Sequence, residues 1–185
     1  MAVRKVTRVV VAVMLLLAIG SAAQAAAAPT STRRVVGLER QLLNAINETR
    51  SARGLRPLGV SPGLRAAALG HSRAMLAGGF FAHESPDGLG FPERLKRAYP
   101  PKPNGAWTVG ENLYASSVEP AAAAAVAAWL ASPPHRGILL SRQFEDVGIG
   151  VVRAPVAGGD FGNQPAWAIT ADFGARGRTT AGKRN

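Results

Sequence analysis

Cysteine is absent from the 185-residue chain. An exported domain of this length must therefore hold itself together by its core alone. It cannot be anchored through an acylated cysteine and cannot use a cysteine nucleophile. Acidic residues are scarce, 11 against 22 Lys and Arg, and the formal net charge is +11. Aromatic residues make up only 6% of the chain, and none alternate with the basic groups. That pattern excludes the stacking platform a nucleic-acid binder needs, so no nucleic acid is expected as a partner. The positive groups are scattered over Arg33–Arg34, Arg50–Arg56, Arg94–Lys102 and Arg176–Arg184, and read as a solvated basic surface that attracts anionic polymers or lipid headgroups.

Catalytic motifs are equally thin. No Gly-x-Ser-x-Gly nucleophile elbow occurs. His83-Glu84 does not open a zincin helix, because the residue four after His83 is Asp87 and Pro86 would break that helix. Glu84, Asp87, Glu93 and Glu111 are the carboxylates open to glycosidase chemistry, but isolated acids in an exported protein are ordinarily solvated surface.

What is present begins with an N-terminal leader. Arg4, Lys5 and Arg8 precede an apolar run from Val9 to Ile19, and small residues follow through Ala28, with Ala23-Gln24-Ala25 as a cleavage site. The run is shorter than a comfortable membrane span, so residues 1–28 are read as a signal peptide, and the mature chain is expected to lack a transmembrane segment. Loss of Arg4, Lys5 and Arg8 lowers the charge from +11 to +8. Residues 29–36 read as a linker, 37–174 as the domain and 175–185 as a basic, disordered tail. The protein is expected to be secreted, extracellular or in the cell envelope.

Helices dominate the first part of the domain. Leu38, Leu42, Ala45, Ile46, Thr49 and Ala52 form one stripe of a helix starting near Val36 to Leu38, with Glu39, Arg40, Asn44, Glu48 and Arg53 on the opposite face. Leu55 to Val60 is a connector. Ser61-Pro62 starts a second helix, in which Leu64, Ala68, His71 and Met75 share a face, and Gly78-Gly79 ends it. His71 is thus a packed, hydrogen-bonded histidine. A third helix runs from Pro92 to about Tyr99, an extended segment from Trp107 to Tyr114, and an alanine-rich helix from Glu119-Pro120 to Leu130, where Trp129 is core. Val147–Val152 and Ala166–Phe173 are strands. Helices first and strands late mark an α+β class.

Two of the three histidines, His83 and His135, lie at element ends, as does Glu111. Two imidazoles and a carboxylate suit a zinc site with an open position, or equally a polar cleft that holds no metal. Glu111 either orients the imidazoles and raises their basicity, or joins them as a third ligand. Asn112 and Ser132 are read as loop hydrogen-bonders, and Arg136 as a brace paired with an acid or a carbonyl.

The stretches around these residues carry a resemblance. Phe81-Ala82-His83-Glu84-Ser85-Pro86-Asp87-Gly88, Gly110-Glu111-Asn112-Leu113, Trp129-Leu130-Ala131-Ser132-Pro133-Pro134-His135-Arg136 and Asp146-Val147-Gly148-Ile149-Gly150-Val151 resemble ordered motifs of bacterial CAP-superfamily (SCP-like) domains, the group of cysteine-rich secretory proteins, antigen 5 and pathogenesis-related class 1 proteins. The resemblance spans about Gly37 to Gly174. It implies an α-β-α sandwich with a central antiparallel sheet, and a cleft formed by His83, Glu111 and His135. Ser132 stands where many eukaryotic members have a second glutamate, and Ile138 where the family usually has Asn. The function so implied is a ligand- or envelope-binding module that takes zinc or another divalent cation as an optional group, its partners lipid or anionic envelope polymer. The alternative is a metal- or histidine-dependent extracellular hydrolase, protease-like or glycan-directed, and no catalytic residue is assigned.

Overall fold

Leu38, Leu42 and Ile46 recur at four-residue steps and are all buried along the first helix, α1 (Ala27–Ser51). The computed structural model describes residues 27–155, 158–162 and 164–178. Of the signal peptide read at 1–28, all but the last two positions lie outside this range, as does the tail beyond 178. Residues 29–36, read as a linker, are instead helical. Helices α2 (Pro62–Gly78), α3 (Phe91–Ala98), α4 (Ala122–Ala131) and α5 (Pro133–Leu139) follow. Ser61 caps α2 by accepting from the Leu64 N–H, and Gly79, left-handed at φ 67°, closes it.

The sheet has the order β1-β3-β4-β2, with β1 at Gly59–Val60, β2 at Gly105–Ser116, β3 at Asp146–Ala154 and β4 at Ala166–Arg178. The three long strands are antiparallel. The expected central antiparallel sheet is thus present, and the short β1 extends it by joining β3 in parallel, through Gly59 opposite Asp146 and Val60 opposite Val147. The connector can pair there because Asn47 on α1 grips Leu58 at both its N–H and its carbonyl. β4 runs on to Arg178, so residues 175–178 are strand rather than the start of a tail.

Strand alternation sends the two faces to different helices. Val147, Ile149 and Val151, with Trp167, Ile169 and Phe173, meet α1, α4 and α5 in one large core that includes Trp129. Small side chains on α4 let α1 lie close to it; Ala122 and Ala125 are buried between them. The opposite face receives α2 and α3, with Met75, Leu76, Leu113 and Ala168 in one cluster and Leu64, Leu95 and Tyr99 in the next. The result is an α+β fold layered helix, sheet, helix.

Two charged residues assigned to solvent are inside. Glu39 is buried, accepts twice from Arg65 and faces the Val151 N–H. Arg50 continues the Leu38–Leu42–Ile46 stripe by one more step of four and is 1% exposed. Its guanidinium donates to the carbonyls of Arg56, Leu139 and Ser141, tying the end of α1 to the end of α5. Burial lowers its pKa from the ordinary arginine value.

Where α2 crosses β3, glycine is required. A Cβ on Gly148 would meet the backbone of Leu64 and Arg65, and one on Gly150 that of Ala68 and Leu69. Gly150→Ala should therefore destabilise the fold by about 1–3 kcal/mol or prevent folding. Gly70→Ala, on the same helix with open space around it, should stabilise by about 0.5–1 kcal/mol. Urea unfolding of the two variants tests this; equal midpoints would refute the close packing.

Candidate functional site

The glycine turn after α2 places the first histidine. Ser85 donates its N–H to the Leu89 carbonyl and accepts from Gly88, whose φ is 81°, so Ser85-Pro86-Asp87-Gly88 is a closed turn. His83 stands at its start, its side chain 46% exposed. Strand β2 supplies the next residues. Glu111 and Asn112 are adjacent and therefore project to opposite faces of the sheet. Glu111 looks toward the α2–α3 side, where His83 Nδ1 lies 2.8 Å from Oε1. Asn112 looks toward α5 and donates to the His135 carbonyl at 3.0 Å. Because β2 is an edge strand, the two histidines approach each other around it; their ring centres are 6.2 Å apart.

His83, Glu111 and His135 thus meet in one cleft, with Asn112 and Ser132 supporting His135. Ser132 Oγ lies 2.8 Å from His135 Nδ1. Neither Nε2 has a protein partner among the described residues, so each ring is held at Nδ1 and presents Nε2. Desolvation, followed by the charge of His83, lowers the His135 pKa from the ordinary histidine value and favours a neutral ring. Arg136 departs from its expected role. It is exposed at the fourth position of α5 and pairs with no acid or carbonyl among the described residues.

The brace is Arg94, on α3, a residue that sequence reasoning left among the solvated basic groups. It donates to the carbonyls of His83 (2.7 Å) and Leu89 (3.1 Å), to Ser85 Oγ, and to Glu111 Oε2 at 2.7 Å. One guanidinium therefore closes the turn and fixes the carboxylate beneath it. Both Glu111 oxygens are committed, one to His83 and one to Arg94, which makes this carboxylate an orienting group for His83. Among the described residues no group of three or more His, Cys, Asp or Glu is arranged to hold a metal ion.

Three further residues complete the arrangement. His71, buried as its place on the apolar stripe implied, lies 2.9 Å from the Ala82 carbonyl through Nε2 and anchors the chain beside His83. Desolvation is the chief reason its pKa lies below the ordinary histidine value. Asp160, in the loop between β3 and β4, accepts from the Phe81 N–H at 2.8 Å. Asp172 pairs in register with Glu111 and is 1% exposed, with neither oxygen reached by a donor. Burial and the adjacent Glu111 raise its pKa well above the usual carboxylate range. Both effects favour the protonated form of its carboxyl. One signal was available in the sequence: Thr170 and Asp172, two apart in an apolar strand, must share a face.

The comparisons with known proteins agree with this fold. The family described as the cysteine-rich secretory protein family, CAP, matches residues 43–162. Among solved structures, an extracellular protein containing an SCP domain from Bacillus anthracis is 28% identical with a TM-score of 0.59; the match covers 77% of this chain and 41% of that one. The chain thus spans about two fifths of that protein's length. An outer surface protein of Borrelia burgdorferi (22% identity, TM-score 0.55, 73% and 90% covered) and a cysteine-rich secretory protein of Staphylococcus aureus (19%, 0.52, 74% and 38%) share the fold. No curated protein matches the chain significantly.

Asp172 makes stability depend on pH. Its folded pKa is raised above the ordinary value of 3.8, so the unfolded state loses this proton first. Stability then falls as pH rises above about 4, by at most about 1.4 kcal/mol per pH unit from this group. Asp172→Asn keeps a donor toward Glu111 without that proton. The variant should resist urea better than the parent at pH 7, the gap closing toward pH 4. A gap independent of pH would mean that Asp172 is ionised.

Proposed function

The chain belongs to the cysteine-rich secretory protein (CAP) family, and on that premise we propose that it is an extracellular or envelope-located binding module that acts through the His83–His135 cleft. One observation carries the reading: two imidazoles, each held at Nδ1 and without a protein partner at Nε2 among the described residues, lie with their ring centres 6.2 Å apart. The location is supported by relatives described as extracellular, outer surface and secretory, and by the basic, apolar and small-residue order of residues 1–28. Among the described residues no helix is long and apolar enough to cross a membrane. The net positive charge supports an anionic envelope polymer or lipid surface as partner.

Two imidazoles are one fewer than the three protein ligands of a catalytic zinc site, so zinc or another divalent cation is an optional occupant here. His83 and His135 would hold the ion through Nε2, and Glu111, already hydrogen-bonded to His83 Nδ1, would set that ring's tautomer and basicity. A bound cation would supply Lewis acidity to whatever fills the remaining positions. Ser132 stands hydrogen-bonded to His135, but the Glu111 carboxylate is committed to the other histidine and to Arg94, so among the described residues a Ser-His-acid relay has no acid. This favours binding over hydrolysis.

Zinc titration by calorimetry tests the site. His83→Ala and His135→Ala should each abolish saturable binding, and Glu111→Gln should weaken it roughly 10–100-fold. Binding should fade as pH falls, because protons compete with the cation for its ligands. Zinc affinity unchanged in both alanine variants would remove the metal from the proposal. Peptide or glycan turnover that is lost in either variant while the fold is retained would replace the binding module by a hydrolase.

A further inference from the structure

Positive charge is gathered in one place away from the histidines. Past Val147 the outer edge of β3 has no strand beside it among the described residues. The recess left there has α1, α2, Val151–Arg153 and Ser117–Glu119 as its walls and a volume of about 1040 Å³. Arginine stands on three of those walls, as Arg34 of α1, Arg65 and Arg73 of α2 and Arg153 of β3. Two carboxylates lie among them, but each is already taken, Glu39 by Arg65 at 2.7 Å and Glu119 by Arg34 at 3.1 Å. Arg73 and Arg153 are exposed and have no carboxylate partner among the described residues. The recess therefore holds two positive charges in excess, with no acid of its own to answer them.

The layout of the charges decides which anion fits. Arg65 and Arg73 are eight residues apart on α2, about 12 Å along the helix axis at 1.5 Å per residue. Leu69 stands midway between them and also faces the recess. A small anion can meet only one end of such a row. A membrane surface meets the rim of a concavity and not charges set on facing walls. A linear chain with charge at intervals can run through and meet the arginines in turn. The planar fork of arginine matches phosphate oxygens with two-pronged, charge-assisted hydrogen bonds. Nucleic acid is the less suitable phosphate chain, because Trp167, the aromatic residue of the lining, is buried with Arg153 over its ring at 6.0 Å and offers no face to a base.

We propose that this recess binds a single strand of a polyol-phosphate polymer, whose phosphodiesters pair with Arg73 and Arg153. The inference rests on the anionic envelope partner named above and gives that partner a place of its own. The recess shares no residue with the His83–His135 cleft, and binding there does not depend on a metal.

A synthetic oligo(glycerol phosphate), titrated into the metal-free full chain and followed by calorimetry over a range of salt, is the test. It should bind saturably and more weakly as salt rises. Glycerol phosphate itself should bind at least about tenfold more weakly, since it cannot engage several arginines at once. Arg73→Ala and Arg153→Ala should each raise Kd about tenfold and lower the slope of log Kd against log salt by about one. Arg136→Ala removes the same charge from an exposed position on α5 and should leave both quantities near the parent's. His83→Ala and His135→Ala should bind the oligomer as the parent does. Circular dichroism verifies that each variant is folded. Equal losses at Arg73, Arg153 and Arg136 would overturn the recess while leaving an anionic partner in place. Loss of the oligomer in the histidine variants would overturn it in favour of the cleft. Tighter binding to phosphatidylglycerol vesicles, which carry the same phosphodiester on a surface, would replace the polymer by a membrane, and equal affinity for oligothymidylate would replace it by nucleic acid. Binding to neither the oligomer nor the vesicles would remove the anionic partner as well.

Discussion

The Glu111 carboxylate is the group on which the cleft depends. Its side chain is completely buried, and a buried carboxylate is tolerated only where its oxygens are paired. Arg94 answers one oxygen and His83 the other, while burial raises the pKa of Asp172 beside it. The same Arg94 closes the turn that carries His83. Solvation of one charge and placement of the loop are thus a single interaction, and neither can be altered without the other.

The surrounding scaffold makes that arrangement rigid. His71 and Asp160 tie down the backbone on either side of Phe81 and Ala82. Gly148 and Gly150 let α2, which delivers this loop, lie directly on β3. On the opposite face Arg50 gathers carbonyls from three places and so fixes the end of α5, the helix that presents His135. The two histidines come from opposite layers of the sandwich, and the edge position of β2 is what allows them to meet. Rigidity in both layers is therefore a condition for the 6.2 Å separation of their rings.

Much of this was legible along the chain. The Ser61-Pro62 start and Gly79 stop of α2, the turn at Ser85–Gly88, the core position of Trp129 and the two late strands follow from local chemistry, and local chemistry acts between near neighbours. His83, Glu111 and His135 were picked out as scarce residue types at element ends. Charged residues were judged less well. Glu39, Arg50, Arg94 and Arg136 were all assigned by class, and three of the four are enclosed while the one expected to brace is exposed. A charge is buried when distant groups happen to satisfy it, and periodicity carries no record of those groups. Arg50 is the instructive case, since its four-residue step from Ile46 placed it on the buried stripe.

The sequence by itself determined most of the helices and the long strands, the family likeness and the three residues around which the cleft is built, because these rest on periodicity, capping and ordered short motifs. Tertiary structure alone decided that Glu111 and Asn112 serve opposite faces, that Asp172 lies opposite Glu111, and that Arg94 rather than Arg136 is the brace. Each of those facts depends on strand register or on contact between elements remote in the chain. Register is cooperative over a whole sheet: β2 shifted by one residue would turn Glu111 away from His83 and leave the motif intact in sequence but without a site.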